Sequence, residues 1–248
     1  MAGKSRIHWR AKLGAIALLG VCGPTALGQN RIEKKIDPLA LPLDKADVWT
    51  LHFRYKPPRI VTLDALDKNG KPTKKNVWYM WYQVYNMSGD PQTFLPEFEL
   101  VTKDLNTVHL DEPQPIIMEQ IRRIEDPTGI LDLKTTIGIS KHPIPPSLPD
   151  AIPRMVSGAA VWTDMNEKAP KTNKFTIYIS GLSNGLALEE APNRDQLIKR
   201  KTLQINFLRP TDDSKPQLGD IIPDDLSGPA ERWIYRTVSV IKKAGAEK

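Results

Sequence analysis

Apolar and polar residues alternate through most of the chain, and this pattern predicts β-strands. In 49–55 each apolar side chain is followed by a polar one, as in a strand with one buried face. Short runs rich in β-branched and aromatic residues recur between turn residues, at 59–63, 77–85, 98–102, 107–110, 131–139, 156–163, 175–180, 202–208 and 233–241. About ten short strands at this spacing favour an all-β fold, an immunoglobulin-like β-sandwich.

One segment has helical spacing instead. In 113–124, isoleucines recur on one helical face, a proline near the start suits the first turn, and Asp126-Pro127 ends the pattern. We therefore expect one short helix beside the strands.

Prolines concentrate between the predicted strands, most densely in 141–153. This stretch is either a loop within a single elaborated sandwich that covers 29–248, or a linker between two small β domains. Because single β domains commonly reach this length, we favour the first arrangement.

The first 28 residues predict export. Four basic residues and no acid precede an apolar run, 13–22, that is too short to cross a bilayer. Ala26 and Gly28 then supply the small residues of a cleavage site. We expect residues 1–28 to be a signal peptide, with the mature chain beginning at Gln29 in the periplasm or outside the cell.

The only cysteine of the chain, Cys22, lies within this leader. A lipoprotein anchored through Cys22 is the alternative, although Val21 is a branched residue where lipoprotein processing prefers a small one. With either outcome the rest of the chain has no disulfide and no thiol ligand.

Charge and hydropathy narrow the classes of partner. Four of the 35 lysines and arginines lie in the leader, which leaves 31 bases against 29 acids. This near balance argues against nucleic-acid binding, which relies on excess positive charge. After the leader no segment approaches the ~20 apolar residues of a transmembrane span, so we expect none in the mature chain.

One segment of the chain matches a catalytic motif. Gly181-Leu-Ser-Asn-Gly185 matches the nucleophile elbow of α/β-hydrolases, but such enzymes place an acid and then a histidine downstream of the serine. The last histidine of the chain is His142. We therefore expect Ser183 to be structural, in a turn favoured by Asn184-Gly185, and we predict no catalytic residue.

The sequence also gives only weak evidence for metal ligands or a cofactor motif. His52, His109 and His142 are far apart, and we expect the first two on polar strand faces. The segments 67–70 and 164–167 match part of a calcium loop but lack its closing glutamate. We expect hairpin turns at both, with no metal and no cofactor.

The most unusual segment is 77–85, which has five aromatic residues in nine. Alternation sends one set of side chains to each sheet face: Trp78, Met80, Tyr82 and Val84 to one, and Val77, Tyr79, Trp81, Gln83 and Tyr85 to the other. The second face is either covered by another element or exposed as a platform for sugar rings or a partner. Tyr79, Trp81 and Tyr85 are the candidate ligand-binding residues, and we expect Trp81 to be at least half buried.

Three blocks of sequence, 158–164, 175–185 and 200–207, together with the strand pair in 78–98, resemble a group of uncharacterised exported proteins of planctomycete-type bacteria. The resemblance implies a Gram-negative-like envelope and an immunoglobulin-like sandwich. It supplies no activity, cofactor or site residue.

These observations predict an exported, non-enzymatic β-sandwich that acts through its surface, as an envelope structural or protein-interaction module. Its partner would be an envelope protein or a polysaccharide. A carbohydrate-binding module that uses the aromatic strand is the main alternative, and an unrecognised hydrolase is the third.

Overall fold

Two antiparallel β-sheets contain the twelve strands in the part of the chain that the structure describes. The structure is a computed structural model that describes residues 33–67, 69–193, 195–210, 221–226 and 228–242. The described residues all belong to one compact unit. The predicted leader, its cleavage site and Cys22 lie outside the described residues.

The smaller sheet is organised around one long strand, β4. On one edge β4 pairs with β7, and on the other it pairs first with β3 and then with β2. Proline cannot donate a hydrogen bond to a β-ladder, and Pro57-Pro58 separate β2 from β3 at this edge. The strands are β1 (Lys34–Ile36), β2 (His52–Tyr55), β3 (Arg59–Leu66), β4 (Pro72–Tyr85) and β7 (Met155–Trp162).

The larger sheet has a similar plan around β10. One edge of β10 pairs with β8 and then β9, and the other edge pairs with β12 and β11. β5 joins β8 and carries β6 on its outer side. The strands are β5 (Glu97–Thr102), β6 (Val108–Leu110), β8 (Lys174–Ser180), β9 (Leu186–Glu190), β10 (Gln196–Leu208), β11 (Ile222–Pro223) and β12 (Glu231–Ile241).

The main core lies between the two sheets and is rich in aromatic side chains. The ring centroids of Tyr82 and Phe98, from opposite sheets, are 4.8 Å apart, and Trp78 meets Phe175 edge-on at 5.4 Å. The sheets therefore pack face to face in a sandwich-like arrangement, which confirms the predicted β-sandwich class at this level. Strands on both sides of 141–153 share each sheet, so a boundary there would divide both sheets.

In the described ranges three helices accompany the strands, where the sequence predicts one. α1 (Pro115–Glu125) confirms the helix predicted at 113–124. The strand expected at 131–139 does not form. Its first half makes only an isolated β-bridge at Lys134, and its second half is α2 (Thr136–Ile139), because the Thr135 hydroxyl caps a helical turn by accepting the Gly138 N–H at 2.9 Å. α3 (Met165–Lys168) replaces the hairpin turn expected at 164–167.

A second apolar cluster lies on the outer face of the smaller sheet, under α1. The helix contributes Ile117, Met118 and Ile121 to it. The sheet and the loop after the helix contribute Leu63, Ala65, Val77, Tyr79, Trp81, Leu133, Ala159 and Val161. Both faces of β4 are therefore buried, and its residues divide between them as the alternation predicts.

The larger sheet extends past the sandwich as a three-stranded arm. The arm consists of β9 (Leu186–Glu190) and residues 196–200 of β10 and 236–241 of β12. β8 pairs with β10 only from Leu203 onward, so it does not reach the arm. Most arm residues are exposed or half-buried.

Candidate binding surface

The outer face of the larger sheet carries an open groove of about 600 Å³ where the arm leaves the sandwich. This volume lies in the range of ordinary ligand sites, roughly 300–1,000 Å³. Side chains from four strands line it: Glu97 and Glu99 of β5, Tyr178 of β8, Arg200 of β10, and Arg236 and Val238 of β12.

Strand register explains why these side chains share one face. Glu99 lies opposite Tyr178 in the β5–β8 pair, and Arg200 lies opposite Arg236 in the β10–β12 pair. Residues directly opposed in antiparallel strands point to the same side of the sheet. The adjacent positions Phe98 and Ile179 point to the core, so the alternation that builds the core also builds the groove.

Arg236 is held in place at the centre of the groove. Its Cζ atom lies 4.1 Å from the centre of the Tyr178 ring. Its Nη1 donates to Oε2 of Glu99 at 3.0 Å, and its Nη2 donates to Oε1 of the same carboxylate. The hydrogen bonds to Glu99 raise the pKa of Arg236 above its usual value, although burial opposes them. A stacked, bidentate guanidinium is pre-organised for binding.

A second ion pair borders the groove and is looser. Nη1 of Arg200 lies 3.5 Å from Oε2 of Glu97, and both side chains are more exposed than the Arg236–Glu99 pair. Exposed pairs of this kind contribute little to stability. A partner could therefore displace this pair with little loss of folding stability, and the groove would then offer it one positive and one negative side chain.

Exposed apolar side chains continue the same face onto the arm. Leu188, Ile198 and Ser239 lie opposite one another across the three strands, and Leu186 lies beside Arg200. Leu188 is 69% exposed. The surface thus combines a polar groove with an adjacent apolar patch, as protein-binding surfaces do.

Sequence reasoning missed this surface. Alternation in 175–180 does place Tyr178 as a lone aromatic on a polar face, and that was the available signal. Tyr178 pairs with Glu99 across two strands, and Arg236 stacks on the Tyr178 ring. These residues are far apart in the chain, so no local pattern reveals their contact.

The three candidate ligand residues of β4 do not form an exposed platform. Tyr79, Trp81 and Tyr85 are 0%, 3% and 4% exposed. Nζ of Lys56 lies 4.6 Å from the centre of the Trp81 ring, and His52 stacks on Tyr85 with ring centroids 4.7 Å apart. The expected burial of Trp81 is confirmed, and none of these ring faces is open for stacking in this conformation.

A buried carboxylate ties α1 to this covered face. Oε1 of Glu125 accepts hydrogen bonds from the Tyr79 hydroxyl at 2.7 Å and from Nη1 of Arg59 at 2.8 Å, and Oε2 accepts one from Nζ of Lys56 at 3.1 Å. Burial opposes ionisation of Glu125, but these donors outweigh it and lower its pKa. Burial raises the pKa of Tyr79. The cluster stabilises the helix on the sheet and leaves no free acid–base group there.

The hydroxyl of Ser183 is engaged in structure. It donates to the Trp49 carbonyl at 2.6 Å and accepts from the Thr50 hydroxyl and the Gly185 N–H, each at 3.1 Å. Residues 181–185 connect β8 to β9. They bind the chain before β2 through the Thr50–Ser183 bridge and the hydrogen bond from the Leu51 N–H to the Leu182 carbonyl. Ser183 forms a β-bridge with Thr50, and the chain bends at 181–182, where Gly181 has φ 87°, and not at Asn184-Gly185 as the sequence predicts.

His109 lies in the interior, so its expected position on a polar face is wrong. Nδ1 of His109 is 2.8 Å from Oδ1 of Asp164, and its Nε2 is 2.8 Å from the Thr107 hydroxyl. This order resembles a nucleophile, base and acid. However, the Thr107 hydroxyl also contacts that of Thr102 at 2.8 Å, and the His109 side chain is fully enclosed. The network fastens the β5–β6 turn to the start of α3.

Among the described residues, no group of three or more histidine, cysteine and acidic side chains is arranged to hold a metal ion. Within the same ranges, no helix has the length and apolar character to cross a bilayer.

Comparisons with known proteins found no matching family model, no matching curated protein and no matching solved structure.

Proposed function

We propose that this chain is an exported, non-enzymatic interaction module that binds a partner protein on the outer face of its larger sheet. One observation carries the proposal: Arg236, stacked on Tyr178 and clamped by Glu99, stands in an uncovered groove beside the exposed apolar arm. Arginine and tyrosine are the residues that most often dominate binding energy at protein interfaces.

The groove favours a protein over a polysaccharide. Sugar rings stack on open aromatic faces, whereas a guanidinium already covers one face of Tyr178. The mixed charges of Glu97, Arg200 and their neighbours also suit the hydrogen-bonding groups of a peptide. Polysaccharide binding through the exposed face of the Arg236 guanidinium is the alternative.

Three parts of the proposal rest on sequence patterns alone. Export rests on the leader at 1–28, and placement in a bacterial envelope rests on the resemblance of 158–164, 175–185 and 200–207. An immunoglobulin-like strand arrangement also stays a prediction.

Photo-crosslinking in cells of the source organism tests the proposal. We would place p-benzoylphenylalanine at Ser239, which lines the groove, and at Arg123, an exposed position on α1, as the control. We expect a protein adduct at Ser239 that weakens when Arg236→Glu is added, and none at Arg123. Retention on purified cell-wall polysaccharide that disappears in Tyr178→Ala, without a protein adduct, would overturn the proposal.

A further inference from the structure

The outer edges of the two sheets differ in what covers them. The outer edge of β3 is capped by the Gln120 side chain, whose amide binds both the Asp64 N–H and the Asp64 carbonyl, at 2.9 and 2.8 Å. The outer edge of β7 is covered by the loop at Lys134, which exchanges backbone hydrogen bonds with Ser157 and Ala159. Covering an edge in this way prevents its pairing with other chains.

None of the described residues covers the outer edge of β12 in this way. β12 has eleven residues and pairs with β10 along one edge, and no described strand pairs with the other. It is the longest strand with an uncovered edge in the described part of the chain. Free N–H and C=O groups along such an edge can accept an additional strand.

The side chains of β12 indicate what kind of strand would fit. Register with β10 places Arg232, Ile234 and Arg236 in alternation on the outer face, the face of the groove. Arg232 is exposed and makes no ion pair with any described residue. The exposed Val238 and Val240 follow along the strand. A strand beside this edge would gain from an acidic residue opposite Arg232 and apolar residues beside Val238 and Val240.

We infer that the free edge of β12 binds an extended, acidic and β-branched segment of the partner protein as an added strand. This inference rests on the proposed function, since it concerns the same outer face. The partner's backbone would pair with β12, and an acidic side chain would lie beside Arg232, since Arg236 is already bound to Glu99 on the other side of β12.

A second copy of this chain is a poorer occupant. The β12 of a second copy has one acidic residue, Glu231, which is already bonded to Tyr55 and Lys34, so it offers no free carboxylate to Arg232. The outer edge of β9 also carries acids, but this strand has only five residues, and Glu189 is already paired with Lys199 within the same arm.

Peptide binding to the purified chain 29–248 tests the inference. We would use fluorescein-labelled peptides of repeated Val-Glu, repeated Val-Lys, and repeated Val-Glu with every backbone amide N-methylated. We expect the Val-Glu peptide to bind about tenfold more tightly than either control, and Arg232→Glu to reverse the charge preference. Hydrogen exchange should slow in 231–241 and stay unchanged in 155–162.

Several results would overturn the inference. They are equal binding of the N-methylated peptide, no slowing of exchange in β12, or no binding of the Val-Glu peptide up to about 1 mM. Concentration-dependent self-association in sedimentation, together with exchange in 231–241 that slows as the protein concentration rises, would identify a second copy as the occupant instead. If the Ser239 crosslink forms while the Val-Glu peptide fails to bind, the inference fails and the proposed function stands.

Discussion

The two outer faces of the sandwich differ in what covers them. On the smaller sheet, α1 packs Ile117 and Ile121 over Tyr79 and Trp81, and the face becomes a second core. On the larger sheet, Tyr178 and its charged neighbours line an open groove. The conspicuous aromatic residues of β4 therefore serve stability. The residues available to a partner are charged side chains and a single aromatic residue, Tyr178.

The largest expected effect comes from truncating an aromatic residue on the covered face. Trp81→Ala should lower the free energy of unfolding by about 3–5 kcal/mol, because it deletes a buried ring that the surroundings cannot refill. Tyr178→Ala is the matched variant on the open face and should cost less than about 1 kcal/mol. Urea denaturation measures both, and similar losses would show that the two faces are not distinct.

The next largest loss of stability should come from replacing Glu125, the buried carboxylate of the covered face. Glu125→Gln leaves Arg59 and Lys56 without their counter-charge, so we expect a loss of roughly 2–4 kcal/mol. The pKa of Glu125 is lowered in the folded state, so its contribution is present above its ordinary pKa of 4.5 and is lost as pH falls. Urea titrations of both proteins between pH 7 and pH 3 should therefore converge at low pH. A constant gap would mean that the charge of Glu125 is unimportant.

Asp111 should show the opposite pH dependence. It lies at the edge of β7, where it accepts hydrogen bonds from the Val161 N–H and the Thr136 hydroxyl. Burial raises its pKa from 3.8 to about 6. A folded-state pKa that is raised favours folding at low pH, so stability from this group should decline as pH rises from 3.8 to about 6, by roughly 2 kcal/mol.

The variant Asp111→Asn should remove this decline, because an amide can accept from Val161 N–H and donate to the Thr136 hydroxyl without titrating. The difference in unfolding free energy between the two proteins, measured in urea at several pH values, checks the prediction. An unchanged slope between pH 4 and pH 6 in Asp111→Asn would contradict it.

Much of this arrangement follows from local sequence. Alternation in 77–85 predicted which side chains of β4 face each way, because a strand has a period of two whatever packs on it. It could not predict that α1 would cover the second face. The 131–139 run alternates like a strand, yet Thr135 caps a helical turn within it, so a local hydrogen bond outweighs the pattern.

The candidate site depended on contacts that sequence does not display. Glu99 and Arg236 are 137 positions apart, and their pairing follows from the order of β5, β8, β10 and β12 in one sheet. His109 shows the same limitation, since its alternating position suggested exposure, whereas Asp164 from another segment encloses it.

The smallest effect on stability should come from the groove itself. Glu99→Gln should change the free energy of unfolding by less than about 1 kcal/mol, because the Arg236 pair is partly exposed. The same change should weaken the Ser239 crosslink, since it frees Arg236 from its position over Tyr178. Unchanged crosslinking would show that a pre-organised Arg236 is not needed.

Hydroxyl-radical footprinting of the native protein tests most directly the claim that one outer face is closed and the other open. Tryptophan is intrinsically more reactive than leucine, yet Trp81 is 3% exposed and Leu188 is 69% exposed. We expect mass spectrometry to find Leu188 and Val238 oxidised while Trp81 and Tyr79 stay unmodified until denaturant unfolds the chain. Oxidation of Trp81 in the native protein, at a rate close to that of the unfolded chain, would contradict it.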